Sequence, residues 1–307
     1  MFGAEKRKVL EIFGKRGTVV LAFVLLVAFW SSAFAVVKVG LDHSPPLLFA
    51  GLRSMLGGTA ITLVALVWGG EPHFRRDWPI LVLLGMFNVI LFIGFQTFTL
   101  LYLPSGTSAV VIYLQPILVG FLAWMILGES LTTTKVVGLL LGFAGIVAVS
   151  SDGLTDGAVP LTGLSFGIAS ALSWALGTVF FKKYQARVST LWAVGIPFLA
   201  GGAALTALGL TIEPWADISW TSEFVASLLY SGLVGTGFAW LLFLGLVRAG
   251  EASRVASYIF FVPVAAVVVG AIFLKESVGL SLLVGGALVI CGIYLANREP
   301  KDKKTRA

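Results

Sequence analysis

Arg53 is the side chain with the most chemistry to offer. It stands seven residues into an apolar run that begins at Pro46, where a guanidinium needs a partner. Helix-end carbonyls, Asp42 or a substrate carboxylate would each serve. Lys38 and Lys182 lie nearer the ends of their runs and are long enough to reach water, although Lys38 joins Arg53 as a candidate partner for a substrate carboxylate or a gate. A second constellation is a stripe. Asn88, Phe92, Phe95, Thr99 and Tyr102 are spaced 4, 3, 4 and 3, which places them on one face of a helix, polar alternating with aromatic. Such a face suits a ligand with an apolar body and polar ends. Ser108 and Gln115 share a face of the next run, Trp30 with Phe34 and Trp174 with Thr178 offer similar pairs, and Ser257 joins them with Tyr258 adjacent. These thirteen residues are the expected substrate-binding lining; polar glue between packed helices is the alternative for each.

Other chemistries find no support. All fifteen acidic residues fall at termini, loops or helix ends, so no carboxylate relay sits at mid-span. There is no phosphate loop of the G-x-x-x-x-G-K-[ST] kind and no nucleophile–base pair within an apolar run, so an enzyme is not expected. His43 and His73 are far apart and Cys291 is the only cysteine, so neither a metal site nor a cofactor is expected. The net charge of +6 reflects basic loops between apolar runs rather than a nucleic-acid surface.

The elements that must position these groups are membrane spans. Hydrophobic residues make up 58% of the 307 and charged residues 12%, about half the charged share of a soluble domain. Ten apolar runs are long enough to cross a bilayer: 18–40, 46–69, 79–102, 105–127, 134–150, 161–181, 189–211, 222–247, 252–274 and 278–297. Basic residues followed by Ala33-Phe34-Ala35 imitate a signal peptide, but the segment recurs later in the chain and reads as a first span. With the N-terminus inside, 18 of the 21 Lys and Arg residues face the cytoplasm, which orients both termini there. The expected parts are a cytoplasmic segment 1–17, a five-helix unit 18–150, a periplasmic loop 151–160, a second five-helix unit 161–297 and a cytoplasmic tail 298–307.

The two units repeat one another. QPILVGFLAWMILGESL (115–131) aligns with VPVAAVVVGAIFLKESV (262–278), pairing Pro116 with Pro263 and Glu129 with Glu276; at an offset of 144, Trp30 meets Trp174 and Lys38 meets Lys182. Because five is odd, the second copy enters the membrane from the opposite side, an inverted repeat whose halves can exchange conformations. Pro116 and Pro263 fall near mid-span and are expected to act as paired hinges. Gly138, Gly142 and Gly145 in one unit and Gly285, Gly286 and Gly292 in the other suit close packing within a monomer, a homodimer interface being the alternative.

The segments WSSAFAVVKVG (30–40), FAGLRSMLGG (49–58), YLPSGTSAVVIYLQP (102–116), LGESLTTTKVVGLLLGFAGIVAV (127–149) and VPVAAVVVGAIFLKES (262–277) resemble the EamA-type transporters of the drug/metabolite transporter superfamily, and within it the YddG-type amino-acid exporters. The likeness covers nearly the whole chain. It implies an all-α membrane protein of ten helices in a five-plus-five inverted repeat, exporting small metabolites, aromatic and apolar amino acids above all. Carriage of nucleotide-linked or phosphorylated metabolites is the alternative within transport, and a scaffold or receptor without transport the alternative outside it.

Overall fold

The computed structural model describes residues 16–103, 105–149, 160–274 and 280–298; Glu276 lies outside them, as does the side chain of Phe34. Among the described residues the chain is helical and no strand occurs. The helices are α1 (Arg16–Leu41), α2 (Pro46–Trp68), α3 (Phe74–Tyr102), α4 (Ser105–Ile112), α5 (Gln115–Leu127), α6 (Thr133–Val149), α7 (Leu161–Tyr184), α8 (Thr190–Ile212), α9 (Ser222–Ala249), α10 (Ala252–Tyr258), α11 (Phe261–Leu274) and α12 (Leu280–Ala296). Among the described residues seven helical segments are long and apolar enough to cross a membrane, and the apolar helices Thr133–Val149, Ala252–Ala266 and Leu283–Ala296 are shorter. The protein is therefore a multi-pass membrane protein.

Four irregularities interrupt the spans. A π-helical segment, Met86–Leu91, lies inside α3, and a second, Tyr230–Phe238, inside α9. Each inserts extra backbone into the turn and so rotates the side chains that follow it. Tyr113 and Leu114 form a turn between α4 and α5, and Ile259 and Phe260 a turn between α10 and α11. The chain leaves the α-helix just before Pro116, which then occupies the opening turn of α5, where its missing N–H costs nothing. Pro263 stands in the corresponding place in α11.

Glycine sets the closest helix pairs. α2 lies against α8 so tightly that a Cβ on Gly202 would stand 2.6 Å from the Met55 nitrogen, and α6 lies against α12 so that a Cβ on Gly145 or on Gly285 would stand 2.6 Å from the other's carbonyl oxygen. Only backbone-to-backbone contact allows this, the usual device where lipid offers helices no hydrophobic drive to associate. Between these pairs, α1, α3, α7 and α9 surround the middle of the protein.

Two glutamates tie the ends together by capping helices from other parts of the chain. The Glu213 carboxylate accepts from the Leu47 and Leu48 nitrogens at 2.9 and 2.8 Å, at the start of α2. At the opposite end the Glu129 carboxylate accepts from the Ala252 and Ser253 nitrogens at 2.7 and 3.1 Å and from the Ser253 hydroxyl, at the start of α10. Each satisfies orphan amides at a positive helix terminus. The second end is the basic one: Arg76 and Arg187 each donate to the other's carbonyl, and Lys135 pairs with Glu251 at 3.2 Å.

Candidate functional site

A cleft of about 860 Å³, counting its open mouth, lies among α1, α2, α3, α7 and α9. Its floor is aromatic. Trp174 is the hub, with its ring centroid 5.5 Å from that of Trp30, 4.9 Å from Phe92, 6.2 Å from Trp240 and 6.4 Å from Tyr113. The Trp30 indole donates to the Gly235 carbonyl at 3.2 Å, in the π-helical part of α9, which fixes one ring; the Trp174 indole nitrogen is buried with no protein partner. The Tyr113 ring enters because the chain turns there between α4 and α5.

Arg53 forms part of the wall, and its Nε is buried without a hydrogen-bond partner. The pairing with Asp42 allowed by the sequence is not made: among the described residues no carboxylate lies within ion-pair distance of Arg53, and no Asp or Glu lines the cleft. At 1.5 Å per residue Arg53 is about 10 Å below the start of α2, while Trp30 is about 16 Å from the end of α1 nearest the same mouth. Arg53 therefore springs from a level nearer the mouth than Trp30. Gln96 and Thr97 complete the polar wall, the Thr97 hydroxyl already donating to the Ile93 carbonyl at 2.9 Å.

The mouth opens where Leu41, Pro46 and Leu100 stand, away from the basic end. At the basic end, contacts bridge the helices. Besides the Glu129 cap and the Lys135–Glu251 pair, Lys182 donates to the carbonyls of Val247 and Gly250 at 3.0 and 2.7 Å, binding the last turn of α9.

Of the residues expected to line the site, the structure gathers Trp30, Phe92, Trp174 and Arg53 around the cleft. The rest of the α3 stripe turns elsewhere. Phe95 packs on Phe166 with ring centroids 5.8 Å apart and Tyr102 stacks on the same ring at 6.0 Å, half exposed, while Thr99 donates to the Phe95 carbonyl. The face of α3 that meets the cleft is Phe92, Ile93, Gln96, Thr97 and Leu100. Asn88 is buried against Gly177 of α7, and Gln115 is buried at the start of α5; neither amide has a protein partner and neither reaches the cleft. Ser108, Thr178 and Ser257 donate to the backbone carbonyls of Leu103, Trp174 and Arg254. Tyr258 lies outside, in a groove between α1 and α11, and Lys38 is exposed. Sequence reasoning missed Gln96, Thr97, Tyr113 and Trp240. The 144-residue repeat held a signal for two of these, since it sets Gln96 opposite Trp240 as it sets Trp30 opposite Trp174.

The sequence model of the EamA-like transporter family matches this chain twice, over residues 17–151 and 161–298. The chain is 40% identical, over 95% of both chains, to the uncharacterized transporter YvbV of Bacillus subtilis. It is 29% identical to a probable amino-acid metabolite efflux pump of Escherichia coli, over 88% of this chain and 92% of that one. A crystal structure of 22% sequence identity superposes with a TM-score of 0.80, covering 92% of this chain and 97% of that one, a likeness of fold.

Proposed function

Because the chain belongs to the EamA-like transporter family, we propose that it exports amino acids or similar small metabolites across the bacterial inner membrane by alternating access, with aromatic and apolar side chains favoured. The observation that carries this reading is the guanidinium of Arg53, without an ion-pair partner, in the same cleft as a box of tryptophans where, among the described residues, no carboxylate stands. A carboxylate meets Arg53 with charge-assisted hydrogen bonds. The side chain drops onto Trp30, Trp174 and Trp240. The ammonium is left with the Gln96 amide, the Tyr113 hydroxyl and ring faces, where a cation–π contact is worth about 0.5–2 kcal/mol. Such a set binds weakly, nearer millimolar than nanomolar. The relative named as a probable amino-acid metabolite efflux pump supports the substrate class. A nucleotide-linked or phosphorylated cargo would need several deep cations, and Arg53 is the one charged residue that lines the cleft among the described residues.

Alternation follows from two inverted five-helix units, 18–150 and 161–297 about the loop 151–160. The twofold family match, the paired π-helical segments and the paired breaks before Pro116 and Pro263 support that arrangement. With both termini in the cytoplasm, the cleft opens outward here and the contacts of Glu129, Lys135 and Lys182 form the closed inner gate. Purified protein in liposomes tests the whole: counterflow of phenylalanine and leucine at millimolar concentration is expected, with glutamate and nucleotide sugars excluded. Single cysteines at 70–73 and 185–188 should react only with reagent that crosses the membrane, and those at 215–219 with impermeant reagent from outside. Selective exchange of a phosphorylated metabolite, or the reverse labelling pattern, refutes the reading.

A further inference from the structure

Lys182 and Lys38 hold the same place in the two halves of the chain, in opposite circumstances. Lys182 stands eight residues beyond Trp174 in α7, and Lys38 eight residues beyond Trp30 in α1. The two tryptophans meet in the floor of the cleft with ring centroids 5.5 Å apart. From that floor α7 runs to the basic end and α1 to the mouth, where Leu41 stands.

Lys182 is engaged. Its ammonium donates to the carbonyls of Val247 at 3.0 Å, Gly250 at 2.7 Å and Arg248 at 3.4 Å. These lie at the C-terminus of α9, where a cation meets both orphan acceptors and the negative end of the helix dipole. One side chain thereby holds the end of α9 against the end of α7. Lys38 is exposed, and among the described residues it makes no ion pair, not even with Asp42 one turn further on.

The repeat supplies the matching acceptors. α3 ends at Tyr102 and α9 at Ala249, the same spacing that separates Pro116 from Pro263. Leu100, Leu101 and Leu103 therefore correspond to Val247, Arg248 and Gly250. The last turn of α3 carries no basic residue of its own. The Leu103 carbonyl accepts from the Ser108 hydroxyl at 3.2 Å and keeps a second lone pair. Leu100 of α3 and Leu41 of α1 both line the mouth, so the lysine and the helix end belong to two helices that wall one opening.

We infer, on the alternating-access reading, that Lys38 is the latch of the mouth: when the mouth closes, its ammonium takes the carbonyls that end α3, as Lys182 takes those that end α9. One latch is made while the other is open. The substrate carboxylate stays with Arg53.

Labelling of a single cysteine in proteoliposomes tests this. Gln96→Cys, one turn inside Leu100, serves as reporter in a Cys291→Ser background, with an uncharged, membrane-impermeant maleimide added at the mouth side. Lys182→Met frees the basic end and should slow labelling roughly tenfold, the shift in equilibrium that one charge-assisted hydrogen bond is worth. Lys38→Met in that background should restore the original rate, and Lys38→Arg, which still donates to carbonyls, should leave it slow. A rate that stays slow in Lys182→Met/Lys38→Met overturns the latch and leaves alternation standing. Unchanged labelling in Lys182→Met overturns both. A raised substrate KM in Lys38→Met with labelling unmoved would give Lys38 to the cargo and end the proposal. Should Lys182→Met fail to fold, by its thermal transition in detergent, Glu129→Gln, which removes another contact of the basic end, supplies the background.

Discussion

Replacing Arg53 by methionine separates binding from stability, because the two effects have opposite signs. The guanidinium Nε is buried without a partner. An unsatisfied buried polar group costs about 1–3 kcal/mol. Methionine keeps an unbranched apolar stem that ends about where the arginine Nε lies and removes that cost, so the variant should unfold at the same temperature or a higher one. Transport should move the other way. Hydrogen bonds to charged groups contribute about 1.5–3 kcal/mol, and each 1.4 kcal/mol is tenfold in affinity, so the substrate KM should rise roughly 10- to 150-fold. Arg53→Lys keeps the charge but loses the planar fork that grips both carboxylate oxygens, and should fall between. The assay is counterflow of phenylalanine in proteoliposomes, with initial rates measured across concentration, beside thermal unfolding of the same preparations. A decarboxylated analogue such as phenethylamine should be moved poorly by the unaltered protein and lose nothing further in Arg53→Met. A KM within twofold of the original, or a fall in transport that tracks a fall in stability, would show that Arg53 holds the wall together and does not hold the substrate.

The Glu129 carboxylate, which caps α10, should act as a latch: Glu129→Gln gives up charge-assisted bonds worth about 1.5–3 kcal/mol and should expose the basic end. A cysteine at Thr178, fully buried behind that end, should then be modified at least tenfold faster from the cytoplasmic side in a background with Cys291→Ser, and an unchanged rate removes the latch. Trp174→Ala should raise the substrate KM severalfold because Trp174 is the hub of the floor, whereas Phe95→Ala, whose ring packs on Phe166, should lower stability and leave KM alone; equal effects in both would misplace the cleft. Pro116→Ala with Pro263→Ala should slow exchange by lengthening α5 and α11 back through the turns before them, and unimpaired exchange would show that these prolines are not hinges.

The all-helical, multi-pass character was legible because apolar length is a one-dimensional property; among the described residues seven of the expected runs are long and apolar enough to span, and three correspond to shorter apolar helices. Pro116 and Pro263 announced the two broken spans, though the breaks fall before the prolines rather than at them. The lining was harder to read. A 4-3-4-3 spacing defines a face, but it does not say which face turns inward. The π-helical Met86–Leu91 segment also breaks the α-helical register between Asn88 and Phe92, where one extra residue turns a face by about 100°. Hydroxyl residues misled for another reason. Thr99 and Thr178 spend their donors on the carbonyl four residues back, so a polar residue type on a helix does not mean a polar wall. Arg53 was legible because its long, permanently charged side chain cannot be hidden that way.

The irregular backbone and the closest packing meet where a Cβ on Gly57 of α2 would stand 2.4 Å from the Gly232 carbonyl oxygen, in the π-helical part of α9, and this bears on how such a chain moves. The glycine-mediated contacts of α2 with α8 and of α6 with α12 bring backbone against backbone, where sliding by even one residue would set side chains where no Cβ fits. Interfaces packed this closely are bistable or fixed, and do not deform gradually. The π-helical segments and the turns lie in α3, α9, α4–α5 and α10–α11, which line the cleft or abut the Glu129 cap. There the spare hydrogen-bonding groups already exist: the Asn88 and Gln115 amides and the Thr236 hydroxyl are buried without protein partners, each beside or within an irregular turn. Groups left unsatisfied in one conformation lower the cost of another that satisfies them with water or substrate. A chain that gathers such groups around the cleft, beside the closely packed α2 that forms one of its walls, has the means to switch there.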